Sequence, residues 1–169
     1  MEGGALLGLT ADYLLQVAMD LERQGKAFYE TLALGCGHKE IAALAVSLAK
    51  AEEQHAETFK RMREALPEDQ RGRVLDEAEL WRVTEVVRHK MMPDAMTIRD
   101  IVLNPDLLKA LDMAIEMERD SVRFYSELGH RLASSDAVTL MAIAAEEQDH
   151  LDKLERAREL LSKSQSSYV

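Results

Sequence analysis

Cysteine is almost missing from this 169-residue chain. The single copy, Cys36, excludes an intrachain disulfide and any Cys-x-x-Cys metal or redox pair. Thiol poverty of this kind fits a reducing compartment, and a cytoplasmic location is expected. Proline and glycine are scarce too, with 3 and 8 copies, so long spans hold nothing that breaks a helix. Aromatic residues make up only 5%, which argues against a sheet core. No apolar run reaches the roughly 18 residues of a membrane span, and MEGGALLGLTADYLL lacks the basic start of a secretory signal. Positive charge is in deficit, 21 Lys and Arg against 31 Asp and Glu, for a net charge of -10. That balance disfavours nucleic acid and suits cations.

What fills the long spans is Ala, Leu, Glu, Lys, Arg and Met, the strong helix formers. An all-α fold follows, one domain over 1–169 with its core at about 12–162. The first helix is expected from Thr10 or Asp12 to Leu34, where GCG at 35–37 stops it. A second spans about Lys39 to Leu66, ahead of Pro67. Asn104-Pro105 reads as a cap and first helical residue for a third, ending near Leu132. SSD at 134–136 reads as the cap of a fourth, from Ala137 to Ser162. Residues 67–104 form a partly helical crossover too long for a hairpin turn, and 163–169 a frayed tail.

The two halves repeat each other. VAMDLERQGKAFYETL (17–32) aligns without a gap on MAIEMERDSVRFYSEL (113–128), and LAKAEEQHAETF (48–59) on IAAEEQDHLDKL (143–154). Glu22 thereby matches Glu118, Glu52 matches Glu147, and His55 matches His150. Each of these six interrupts an apolar stripe: Glu22 lies in the series Leu15, Ala18, Gly25, Tyr29, and Glu52 and His55 among Ile41, Ala45, Leu48, Phe59. Residues three apart share a helix face, so each Glu-x-x-His aims a carboxylate and an imidazole at one point.

Four inward carboxylates repel one another, and each costs several kcal/mol to bury unpaired. No lysine or arginine lies on those stripes. Two divalent cations would cancel the four charges, with neutral imidazoles completing the coordination. A glutamate from each of two helices and a Glu-x-x-His from each of the other two is how helical bundles hold paired iron or manganese. Glu53 and Glu146 fall about 100° off this direction and read as surface or flank. Tyr29 and Tyr125, two turns after Glu22 and Glu118, are either core aromatics or hydroxyl partners of the carboxylates. Asp20, Asp112, Glu116 and Asp120 are candidates to orient the histidines. Gly25 and its counterpart Ser121 are both small.

The phrases ERQGKAFYETLA and ERDSVRFYSELG, with AEEQH and AEEQDH, resemble the rubrerythrin group of the ferritin-like superfamily over residues 12–162. The resemblance implies a ferritin-like four-helix bundle whose metal ligands are Glu22, Glu52, His55, Glu118, Glu147 and His150, with Glu52 and Glu147 as bridges. It implies two iron ions, manganese and zinc being alternatives, and reduction of hydrogen peroxide or oxidation of ferrous iron, with dioxygen as another oxidant. The four cysteines of a rubredoxin module are missing, so an external electron donor such as a rubredoxin-like protein is expected. The group's extra helix-three glutamate is also missing, Ser121 and Val122 standing nearby. A homodimer is the expected assembly. The alternative is a non-catalytic iron-binding or structural interaction protein on the same bundle.

Overall fold

The computed structural model describes residues 10–72, 106–131 and 134–166. Four long helices carry them: α1 (Ala11–Gly35), α2 (Lys39–Ala65), α3 (Leu107–Arg131) and α4 (Ser134–Ser166). A single 3-10 turn, Glu68–Gln70, follows α2. The crossover expected at 67–104 lies mostly outside the described residues, as do Asn104 and Pro105.

Local chemistry sets the ends. Thr10 caps α1, its hydroxyl accepting from the Tyr13 backbone N–H. Pro67 stands just past the end of α2, where a missing N–H cannot continue the helix. At α3 the capping group is Asp106, whose carboxylate accepts the Lys109 N–H at 3.1 Å, two residues later than Asn104. On α4 the expected boundaries are too short at both ends. The helix already includes Ser134 to Asp136 and continues to Ser166, taking in part of the expected tail. Its last turns hold themselves with an i,i+4 pair, Lys163 to Glu159.

Within each hairpin the helices approach closely, α1 on α2 and α3 on α4, while the hairpins face each other at longer range through α1–α3 and α2–α4. The apolar core is divided in two. One cluster gathers Phe28, Leu32, Ile41, Leu48, Leu111 and Leu154. The other gathers Leu15, Leu21, Phe59, Phe124, Leu128 and Leu140. Burial of each such side chain is worth about 1.5–3 kcal/mol, so both ends of the bundle are well anchored. Six buried polar residues remain to be placed, once one other pair is set aside.

That pair is Asp12 and Gln16, buried at the start of α1. Gln16 donates to Asp12 Oδ2 at 2.7 Å, and Arg63 near the end of α2 brings Nε to within 2.8 Å of Oδ1. The contact clips the open ends of the first hairpin together. Arg63→Met is expected to destabilise the protein by about 2–3 kcal/mol, because a buried carboxylate loses its counter-charge and keeps only the amide. Chemical denaturation of the variant measures this. A change below about 0.5 kcal/mol would mean the carboxylate is compensated otherwise.

Candidate metal centre

The layer between the two apolar clusters is built from Glu22 on α1, Glu52 and His55 on α2, Glu118 on α3, and Glu147 and His150 on α4, all buried. Apart from Asp12 and Gln16, they are the buried polar side chains among the described residues. The structure brings all six together. Glu22, Glu52, His55 and Glu147 each place a ligand-type atom within 4.8 Å of the others, and so do Glu52, Glu118, Glu147 and His150. Glu52 and Glu147 belong to both groups.

The two tyrosines resolve the alternatives left open by the sequence. Tyr29 on α1 donates its hydroxyl to Glu118 on α3, and Tyr125 on α3 donates to Glu22 on α1. Seven residues of helix advance roughly 10 Å. The exchange of partners therefore requires α1 and α3 to run antiparallel, with each tyrosine at the level of the other helix's glutamate. Each ring is rooted in one apolar cluster and only its oxygen enters the polar layer.

Both histidines turn Nδ1 inward. His55 Nδ1 lies 2.9 Å from Glu147 Oε1 and 3.4 Å from Glu22 Oε2, and His150 Nδ1 lies 3.0 Å from Glu147 Oε2. The rings themselves are 5.9 Å apart. His55 Nδ1, Glu22 Oε2 and Glu147 Oε1 are buried and, despite these short distances, have no properly aligned hydrogen-bond partner. They crowd a common point rather than bond to each other. Buried atoms of this kind are costly unless something else satisfies them, and a cation at that point would. A set of four carboxylates and two imidazoles suits divalent iron, manganese or zinc. The residues present therefore fit the group.

Protonation reflects the same crowding. Burial, then the neighbouring carboxylates, raise the Glu52 and Glu118 acids well above their ordinary 4.5. Burial works against a charged His55, but Glu147 and Glu22 outweigh it and raise the ring from 6.5 to about 11. Glu147 is also opposed by burial, yet contact with His150 and His55 lowers it to about 2. Burial and the surrounding acids raise both tyrosines, which stay neutral donors.

The signs fix a pH profile for the metal-free protein. Glu52 and Glu118 hold protons in the fold that the unfolded chain releases above 4.5, so stability falls as pH rises from there. The His55 contribution is complete below 6.5 and is lost as pH rises toward about 11. The Glu147 contribution is complete above 4.5 and is lost as pH falls toward about 2. Stability of chelator-treated protein is thus expected to peak near pH 4.5 and to fall toward alkaline pH, and thermal melts from pH 4 to 9 check it. A melting temperature that climbs steadily toward alkaline pH would contradict the assignment.

One neighbour of the layer makes a contact that helical phase alone does not show. Glu146, expected at the surface or flank, is 62% exposed, but its Oε2 meets His55 Nε2 at 3.0 Å. Among the described residues, the acids expected to orient a histidine are found with other partners. Asp20 accepts from Gln24, Glu116 pairs with Arg119, Asp112 with Arg158 and Asp120 with Arg123. Glu53 does face outward, 2.8 Å from Lys26. Cys36 sits in the α1–α2 turn, its thiol 3.4 Å from the His38 carbonyl.

Two helical hairpins closing on a buried layer of carboxylates and imidazoles define a ferritin-like four-helix bundle, and the layer fits a dinuclear metal site. A solved Thermotoga maritima protein, proposed there as a ferritin-like diiron-carboxylate protein, matches with a TM-score of 0.69 and 30% identity, covering 89% of this chain and 95% of its own. The chain belongs to the ferritin-like superfamily. A hypothetical protein from Pyrococcus furiosus matches at TM-score 0.57 and 20% identity over 92% of each chain, a likeness of fold. No family profile and no curated protein matches. No described helix is long and apolar enough to cross a membrane.

Proposed function

We propose that Glu22, Glu52, His55, Glu118, Glu147 and His150 hold a pair of iron ions, and that the protein is a rubrerythrin-type oxidoreductase acting on hydrogen peroxide or ferrous iron. The observation that carries this is the pair of four-residue groups sharing Glu52 and Glu147. Bound ferrous ions would supply one electron each, enough together, with two protons drawn from solvent, to reduce one peroxide to two waters.

The chain's own residues prepare the site. The shared carboxylates fix the spacing of the two positions, while the crossed tyrosine bonds hold Glu118 and Glu22 in place. The apolar clusters on either side keep bulk water away. Re-reduction would come from an external donor, and a homodimer is the proposed assembly. Manganese or zinc would fit the same donors.

Gly25 makes room for this arrangement. A Cβ there would stand 2.9 Å from Glu52 Oε2 and 3.2 Å from its Cδ. Gly25→Ala should therefore displace the Glu52 carboxylate while improving helix propensity by up to about 1 kcal/mol. The expected outcome has opposite signs: metal-free stability unchanged or higher, metal affinity lower by about 10–100-fold. Parallel melts and metal titrations check both.

The function itself is tested by loading the protein with ferrous iron without oxygen, then adding stoichiometric hydrogen peroxide. One peroxide consumed per two irons, with oxo-ferric absorption appearing and a reductant restoring the ferrous state, supports an oxidoreductase. Iron held but left unreacted makes the protein a metal-binding bundle instead.

A further inference from the structure

The repeat is not perfectly symmetric, and the break falls on the outer edge of one histidine. In the gap-free alignment of α2 on α4, Glu146 corresponds to Ala51. Glu146 takes the outer nitrogen of His55 at 3.0 Å across the α2–α4 groove. A methyl group at 51 can accept nothing from His150. A carboxylate on Nε2 keeps the proton there when Nδ1 gives up its own to an incoming ion, so the lone pair freed at Nδ1 faces inward. It also holds the ring plane and raises the donor strength of Nδ1. His55 thus has its outer nitrogen held in advance, whereas among the described residues His150 is placed through Nδ1 alone, 3.0 Å from Glu147 Oε2.

We infer that Glu146 makes the two metal positions unequal, so that the position served by His55 fills first and more tightly than the one served by His150. This rests on the dinuclear reading above. Glu146 touches neither position and acts only through the imidazole, as a positioning residue. The sequence that results is ordered loading: one ion at Glu22, Glu52, His55 and Glu147, then a second that reuses Glu52 and Glu147 and adds Glu118 and His150.

The test titrates zinc(II), a redox-silent probe, into the full-length metal-free protein labelled with nitrogen-15 at histidine. NMR then follows the His55 and His150 ring nitrogens separately. His55 Nδ1 is expected to shift during the first equivalent and His150 Nδ1 during the second. Glu146→Ala should make the two rings shift together and weaken the first step by about tenfold or more. Glu146→Gln, which keeps an acceptor oxygen, should restore much of the order. In the converse variant, Ala51→Glu, the second step should tighten. Circular dichroism confirms that each variant keeps its helices. Both rings shifting together in the parent protein, or an unchanged order in Glu146→Ala, overturns the inference while leaving two zinc ions bound. If neither ring responds by two equivalents, the dinuclear reading itself fails and the inference with it.

Discussion

Glu147→Ala is expected to lose both metal ions, whereas His150→Ala keeps one. The difference follows from membership of the two groups. Glu147 offers an oxygen to each, lying 2.9 Å from His55 Nδ1 on one side and 3.0 Å from His150 Nδ1 on the other. Removing it takes a donor from both positions and leaves the two rings without their shared counter-charge. His150 serves only the group with Glu52, Glu118 and Glu147. Its loss leaves Glu22, Glu52, His55 and Glu147 intact. Glu52→Ala should behave like Glu147→Ala, and His55→Ala should spare the His150 position. Metal counts by plasma mass spectrometry after dialysis, near two for the parent, near none for Glu147→Ala and Glu52→Ala and near one for His55→Ala and His150→Ala, separate shared from unshared donors. Equal losses in all four would contradict the bridged arrangement.

Loading both sites with metal is expected to raise the melting temperature by roughly 16–32 °C. Without a cation the layer is a liability. Four acids share a buried space, two of them hold protons far above the ordinary carboxylate range, and three buried atoms lack an aligned partner. A ligand that binds only the folded chain, at a free concentration about a thousandfold above its dissociation constant, adds about 4 kcal/mol per site. For a chain of this size each kcal/mol moves the midpoint by about 2–4 °C. Scanning calorimetry with and without ferrous, manganous or zinc ions checks the effect. No shift with any of them would leave the buried acids without their proposed purpose.

Helix content, the two hairpins and the six inward residues were legible because each depends on local spacing. An acid three residues before a histidine on an apolar stripe announces its direction by phase alone, and the internal repeat supplies a second, independent copy. The crossed tyrosine bonds were half legible. Seven-residue spacing put Tyr29 on the same face as Glu22, but the partner of Tyr29 is Glu118 because α1 and α3 run antiparallel, which periodicity within one helix does not encode. Glu146 was missed for a related reason. Helical phase describes where a side chain leaves its own helix, not how far a flexible glutamate reaches across a groove to the next one. A signal did exist: the paired glutamates sit at 52–53 in one repeat and 146–147 in the other, so the extra acid falls after the inward glutamate in the first and before it in the second. The Asp12–Arg63 clip joins residues 51 apart and had no local signature.

Whether one chain holds two metal ions is decided by native mass spectrometry of protein reconstituted with ferrous iron without oxygen. A species carrying two irons per chain is expected for the parent protein and not for Glu147→Ala. A chain that stays metal-free under those conditions, or binds iron equally well without Glu147, would contradict it.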